Sequence, residues 1–241
     1  MTSPGDVYWL EQTEAQVPPG EDWLSAAEAI ALRALRFAKR RTDWRLGRWT
    51  AKNAVAGCLG VPFELRALRS IEIRASTSGA PEAFLEDQPA RVAISLSHRS
   101  GLGACIVGQT SSAIGCDLEL IEPHGDAFVG DFFSREERAL IASASKGVQD
   151  ALVALLWSTK ESALKALREG LRLDTRSVLV APGIAPLSES EDWHPLQACF
   201  VNGQTFHGWW NQSRGFIRTI LADPPPAPPI LLKQRRAFKH G

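Results

Sequence analysis

The chain has 241 residues, 44% of them apolar, with 27 basic and 27 acidic side chains and no formal net charge. That length fits one or two small domains with a sizeable core, and neutrality argues against a protein that holds nucleic acid or an anionic membrane by bulk electrostatics. The start, M-T-S-P-G-D, shows no signal-peptide pattern, no apolar run approaches the ~18 residues of a membrane span, and the four scattered cysteines form no C-x-x-C pair; a soluble cytoplasmic protein is expected.

In chain order, Val7–Leu10 reads as a short strand, and a loop at Pro18–Trp23 leads to a helix over Leu24–Ala38 with Ser25 as its cap. Thr42 and Asp43 offer a cap for a second helix, Trp44–Leu59, ended by Gly60 and Pro62. Ile71–Arg74 is a strand and Ser76–Glu82 a turn. Val92–Ser97, Ala104–Val107 and Ile114–Ile121 are strands separated by H-R-S-G-L-G and G-Q-T-S-S, segments that suit hairpins. Asp131–Ser145 reads as a helix with a Ser134/Glu137 capping box, and Asp150–Arg168 as the strongest helix, closed by Gly170. Strands follow at Ser177–Val180, Gln197–Val201, Gln204–Trp210 and Phe216–Ala222, then a proline cluster and a basic, mobile tail. Helices then strands, twice over, predict an α+β protein of two halves joined near Gly108–Gly115, with no repeat visible in the sequence itself.

Local charge is uneven. Ala31–Lys52 holds eight Lys/Arg against Asp43, whereas Ile114–Glu137 holds seven acids against Arg135. That pairing suits an anionic ligand held partly by a metal and partly by arginine. In I-G-C-D-L-E-L-I, Asp117 and Glu119 fall on one strand face, roughly 6.5–7 Å apart along the backbone. In W-S-T-K-E-S-A-L-K, Trp157, Glu161 and Lys165 share a helix face. Three carboxylates and a lysine on two rigid elements suit a hard cation such as Mg²⁺. Each piece also has a plainer reading. D-x-E is common on exposed strand faces, and E-x-x-x-K is a common surface pair. His98 with Ser97 sits at a turn, and Arg41, Arg45, Arg48 and Lys52, interleaved with Trp44 and Trp49, would also serve as a solvated helix face.

Taken together and in order, L-G-R-W-T-A-K, S-L-S-H-R-S-G, I-G-C-D-L-E, F-F-S-R-E-E and W-S-T-K-E-S-A-L-K-A resemble the 4′-phosphopantetheinyl transferase superfamily, specifically its long, two-half, monomeric branch activating surfactin synthetase. The resemblance implies two similar α+β halves in a pseudo-twofold arrangement with the active site in the cleft between them: residues 1–110 on the CoA 3′-phosphate and adenine side, 111–223 carrying the metal and catalytic helix, and a tail at 224–241. It implies transfer of phosphopantetheine from coenzyme A to a serine of an apo acyl or peptidyl carrier protein, with release of 3′,5′-ADP and dependence on Mg²⁺ (Mn²⁺ as a substitute). Asp117, Glu119 and Glu161 would bind the metal, and Glu161 would also be the candidate base. Lys165 would meet the pyrophosphate and leaving group. Lys160, Ser97, His98, Arg41, Arg45, Arg48 and Lys52 would hold CoA. An apolar docking surface for the carrier is expected around Phe128–Phe133. Relatives end the catalytic helix in G-x-G-L, where this chain has Arg168 in place of the first glycine. The alternatives are a Mg²⁺-dependent phosphohydrolase or nuclease and a non-catalytic CoA or carrier binder.

Overall fold

The computed structural model describes residues 5–168, 173–182 and 187–233. The chain divides into two compact units, Met1–Ser111 with Ile230–Gly241, and Ser112–Pro229.

Unit 1 opens with β1 (Tyr8–Thr13), continues through α1 (Ala26–Ala34), α2 (Ala38–Leu59) and α3 (Leu65–Arg69), and then forms β2 (Ile71–Ala75), β3 (Pro81–Leu85), β4 (Gln88–Pro89), β5 (Val92–Arg99) and β6 (Leu102–Gln109). Unit 2 opens with β7 (Ala113–Leu120), continues through α4 (Asp126–Phe132), α5 (Arg135–Ser143) and α6 (Lys146–Ala166), and then forms β8 (Val178–Pro182), β9 (Ser190–Phe200), β10 (Thr205–Ser213) and β11 (Phe216–Asp223). The chain returns to unit 1 as β12 (Ile230–Leu231), parallel to β1. Ile230–Leu232 is therefore not a mobile tail: Ile230 N donates to Val7 O and Leu232 N to Trp9 O. The β6–β7 segment is not a hairpin either, because the two strands lie in different sheets.

One plan is used twice. In unit 1 the sheet runs β12-β1-β6-β5 beside a β2-β3-β4 ribbon, and in unit 2 it runs β7-β11-β10-β9-β8. In both, the opening strand pairs with the closing strand, and the long helix between them covers one sheet face. The core of unit 1 gathers Trp49, Ala51, Val55, Ile71, Ile94 and Val107 between α2 and its strands. That of unit 2 gathers Leu155, Leu164, Ala198, Phe206, Trp210 and Ile217 between α6 and its sheet. The closing hairpins match too: Ser100–Gly101 and Arg214–Gly215 all have positive φ, as a two-residue turn needs to follow strand twist.

The repeat extends to a buried ion pair. Ser25 caps α1 and Ser134 caps α5, each in a capping box closed by a glutamate, Glu28 or Glu137. Both glutamates are buried, and each receives a buried lysine from the long helix: Lys52 Nζ to Glu28 Oε2, and Lys160 Nζ to Glu137 Oε2 at 2.9 Å. Each lysine also donates to two carbonyls, Trp23 O and Leu68 O, or Thr175 O and Val178 O. Thus S-x-x-E followed by W-x-x-K occurs twice, at Ser25–Glu28 with Trp49–Lys52 and at Ser134–Glu137 with Trp157–Lys160. A repeat is present in the sequence after all. Only four positions per copy carry it, which is why it does not stand out.

Elsewhere α2 starts at Ala38, not Trp44, so Thr42 and Asp43 are helical and Lys39 pairs with Asp43 at 2.8 Å. The predicted helix over Asp131–Ser145 is two helices, α4 and α5, and the predicted stop at Gly170 lies outside the described residues.

Candidate active site

The site in unit 2 begins with a glycine. A Cβ on Gly115 would fall 1.8 Å from Ser162 O and 2.7 Å from Ala166 N. Only glycine lets α6 lie this close to β7. Hydroxyls fix the contact further along: Thr219 Oγ1, on β11 opposite Asp117, lies 2.8 Å from Ser158 Oγ and 2.7 Å from Ser162 Oγ.

Two residues beyond Gly115, on the same strand face, Asp117 meets the helix. Lys165 Nζ donates to Asp117 Oδ1 at 2.7 Å and to Cys116 O at 3.0 Å. Burial pulls the Lys165 ammonium down, but Asp117, Cys116 and Glu161 together outweigh it and hold the pKa above the ordinary lysine value. Glu161, one turn earlier on α6, is shifted the other way in chemical sense. Burial raises its carboxyl above the usual range, Lys165 opposes the shift and Asp117 adds to it. Glu161 Oε1 is buried with no hydrogen-bond partner among the described residues.

Glu119 takes a different partner. Its Oε1 accepts from Trp157 Nε1 at 3.1 Å. Trp157 is in turn pinned by Phe128 and Phe132, with ring centroids 5.1 and 5.0 Å away. The aromatic stretch at Phe128–Phe133 was expected to be a docking surface. Instead Phe133 is buried and the other two are half-buried against the helix, as part of a small core with Leu152 and Leu156.

The structure brings Asp117, Glu161 and Lys165 together and sets Glu119 beside them. Their oxygens are hard donors, two of the acids repel each other, and the buried, partnerless Glu161 Oε1 suits a divalent cation. The triad is not ready-made, however. Among the described residues no three His, Cys, Asp or Glu side chains converge as a metal cluster, because Trp157 draws Glu119 and Lys165 draws Asp117.

Two predicted CoA contacts need correcting. Lys52 and Lys160 are fully buried, and their ammonium groups are used up by the internal glutamates and carbonyls, so neither can reach a ligand. Burial lowers both below the ordinary lysine value, with Glu28 and Glu137 opposing. Arg45 is likewise engaged: it donates to Pro18 O, to Pro19 O at 3.1 Å and to Gly20 O at 3.0 Å, stapling the loop before α1. Arg41 is exposed. Arg48 is half-buried over the Trp44 ring at 4.7 Å, 4.0 Å from Glu28, with its Nε making no hydrogen bond among the described residues. Ser97 is buried and His98 exposed at the end of β5. Sequence reasoning missed the roles of Glu28, Glu137 and the Trp157 N–H. The signal for the glutamates was the capping box: its acid, three residues past the serine, is aimed inward.

Residues 113–211 match the family model of the 4′-phosphopantetheinyl transferase superfamily. The match covers less than half of the chain. The matched segment runs from β7 into β10 and holds Asp117, Glu119, Trp157, Glu161 and Lys165. Among solved structures, the holo-[acyl-carrier-protein] synthase of Helicobacter pylori in complex with coenzyme A is 18% identical, over 43% of this chain and 98% of that one, with a TM-score of 0.35. The corresponding synthase of Thermotoga maritima is 19% identical, over 45% and 61%, with a TM-score of 0.34. Similarity at that level fixes neither fold nor ligand. No curated protein matches the chain. Among the described residues no helix is long and apolar enough to cross a membrane.

Proposed function

We propose that this protein is a transferase that moves the 4′-phosphopantetheine group of coenzyme A to a serine of an apo carrier protein and releases 3′,5′-ADP. The observation that carries this reading is the meeting of Asp117, Glu161 and Lys165 across β7 and α6 within the matched superfamily segment.

In the reaction the serine Oγ forms a bond to the phosphorus that bears pantetheine. The bond from that phosphorus to the bridging oxygen breaks, and the serine proton must leave. A hydroxyl is a weak nucleophile until a base takes that proton. Glu161 suits this role, because its raised pKa brings it nearer the working pH and Oε1 has no hydrogen-bond partner among the described residues to give up. Lys165 stays protonated, held by Asp117, and offsets negative charge on the departing phosphate. Asp117, Glu119 and Glu161 would hold Mg²⁺ (or Mn²⁺), which when bound supplies charge neutralisation at the pyrophosphate. Arg41, Arg48, Ser97 and His98 belong to the same proposal as contacts to CoA. With four cysteines and no disulfide among the described residues, the protein fits a reducing compartment, and we assign it to the cytoplasm, acting as a monomer.

The test is intact-mass spectrometry of apo carrier proteins incubated with CoA, Mg²⁺ and the protein. The expected result is a gain of one phosphopantetheine, abolished by a chelator and by Glu161→Gln. Phosphate release without a carrier would replace the reading with a hydrolase. CoA binding without any transfer would replace it with a non-catalytic binder.

A further inference from the structure

Unit 1 holds a second copy of the catalytic positions. Gln12 lies opposite Gly103 and Glu119 opposite Ile217, each partner two residues past its hairpin glycine. Leu10 lies opposite Cys105 and Asp117 opposite Thr219, each four past. On the helices, Asn53 follows Lys52 as Glu161 follows Lys160, and Gly57 stands five past its lysine as Lys165 does. Leu10, Gln12, Asn53 and Gly57 therefore occupy the places of Asp117, Glu119, Glu161 and Lys165.

All four line one cavity of about 160 Å³ within unit 1, completed by Phe63, Leu232 and Lys233. No acid remains there, so a cation has no ligands to bind. Two carboxamides have taken the acids' places. Gln12 is 5% exposed, and its Oε1 is buried with no partner among the described residues. Asn53 is 6% exposed and spends one N–H on Trp49 O at 2.8 Å. In unit 2 the tryptophan of the repeat donates to Glu119, whereas here Trp49 Nε1 is buried without an acceptor among the described residues. An orphaned buried amide is costly unless something meets it. The remaining walls, Leu10, Phe63 and Leu232, are apolar, and a volume of this size is enough for one ring the size of benzene.

We propose that unit 1 carries a small-molecule site, a neutral counterpart of the catalytic constellation, which binds an uncharged carboxamide on an apolar body of ring size. The amide meets the Gln12 and Asn53 carboxamides, whichever way those side chains are turned. The ring packs on Phe63 and Leu232, and exposed Lys233 stands at the rim. The site goes beyond the transferase reading and does not depend on it.

The test is titration of the full chain with benzamide, read on the methyl resonances of Leu10 and Leu232, with no CoA and no carrier present. Saturable shifts are expected. Gln12→Leu should weaken binding about tenfold, the share of one lost hydrogen bond. Gly57→Leu should abolish it by filling the space. If that variant unfolds, Gly57→Ala, whose Cβ would sit 3.4 Å from Leu232 Cδ1, should still weaken it. Pantetheine, which carries the same amide chemistry, forms the second arm: displacement of benzamide at the same methyls would support the site and name the CoA arm as its source. No saturable shift up to the solubility limit, or equal binding of toluene and benzamide that Gln12→Leu leaves unchanged, would overturn the proposal and leave a dry remnant of the duplication.

Discussion

At the scale of single residues, Arg168 carries backbone strain. It follows the end of α6 with φ of 60°, in the left-handed region that favours glycine. A non-glycine residue there costs about 1–2 kcal/mol, so Arg168→Gly should raise stability by about 1 kcal/mol, seen as a higher Tm. A lower Tm would mean that contacts of the arginine outweigh the backbone strain. Cys58 gives a second prediction. Burial pushes its thiol up to about 11, and only the thiolate is a nucleophile. Alkylation of Cys58, followed by peptide mass mapping, should therefore be far slower than that of free cysteine at pH 8 and should climb steadily toward pH 11. Rapid labelling at pH 8 would refute it. The arginine substitution was visible in the sequence, but its strain was not, because a φ angle has no sequence signature when the residue is not glycine.

At the scale of elements, the contact between β7 and α6 hangs on Gly115. Even the smallest side chain there would overlap the Ser162 carbonyl, and backbone has no rotamer by which to yield. Gly115→Ala should shift α6 or destabilise unit 2 by about 3 kcal/mol or more. It should also lower transfer activity, since Asp117 and Glu161 approach each other only through this contact. Chemical denaturation beside the mass assay would show both, and a variant of unchanged stability would mean that the helix can slide without loss. The buried lysine–glutamate pairs make a sharper case. Removing one partner of a buried pair costs about 3–5 kcal/mol because the other charge is stranded, whereas replacing both costs less. Lys160→Met should therefore be more damaging to the melting temperature than Lys160→Met with Glu137→Gln. Additive losses would show that the two side chains act separately. Sequence reading placed Lys160 on CoA because W-x-x-K lies within a motif rich in functional residues, and Lys52 because it closes a basic run with Arg41, Arg45 and Arg48. What it lacked was the partner, a capping-box glutamate more than twenty residues away whose inward direction only the fold defines.

At the scale of the whole molecule, the legible parts were those with local signals. The long helix α6, the strands β5, β6, β7 and β11, both capping serines and the meeting of Asp117 with Glu161 and Lys165 follow from periodicity and motif spacing. The ribbon strands β3 and β4 hide behind Ser76–Glu82 and its proline, and the first half of β9 is a polar run that reads as loop. Least legible was the return of the chain end, because pairing between β1 and β12 joins residues more than 200 positions apart and leaves no local trace. That return has a consequence. Ile230–Leu232 satisfies the outer edge of β1 and seats Leu232 in the core against Gly57 and Phe63, so unit 1 is finished only after unit 2 has been synthesised. A chain ending at Pro229 would expose an edge of the strand Tyr8–Thr13, which contains Trp9 and Leu10, and bare edges of this kind recruit other strands. Truncation after Pro229 should lower the unfolding midpoint of unit 1 and promote concentration-dependent association, whereas truncation after Lys233 keeps the pairing and the leucine. Amide exchange of β1 compared between the two truncations would decide it. Equal protection in both would mean that unit 1 closes its sheet without the returning strand.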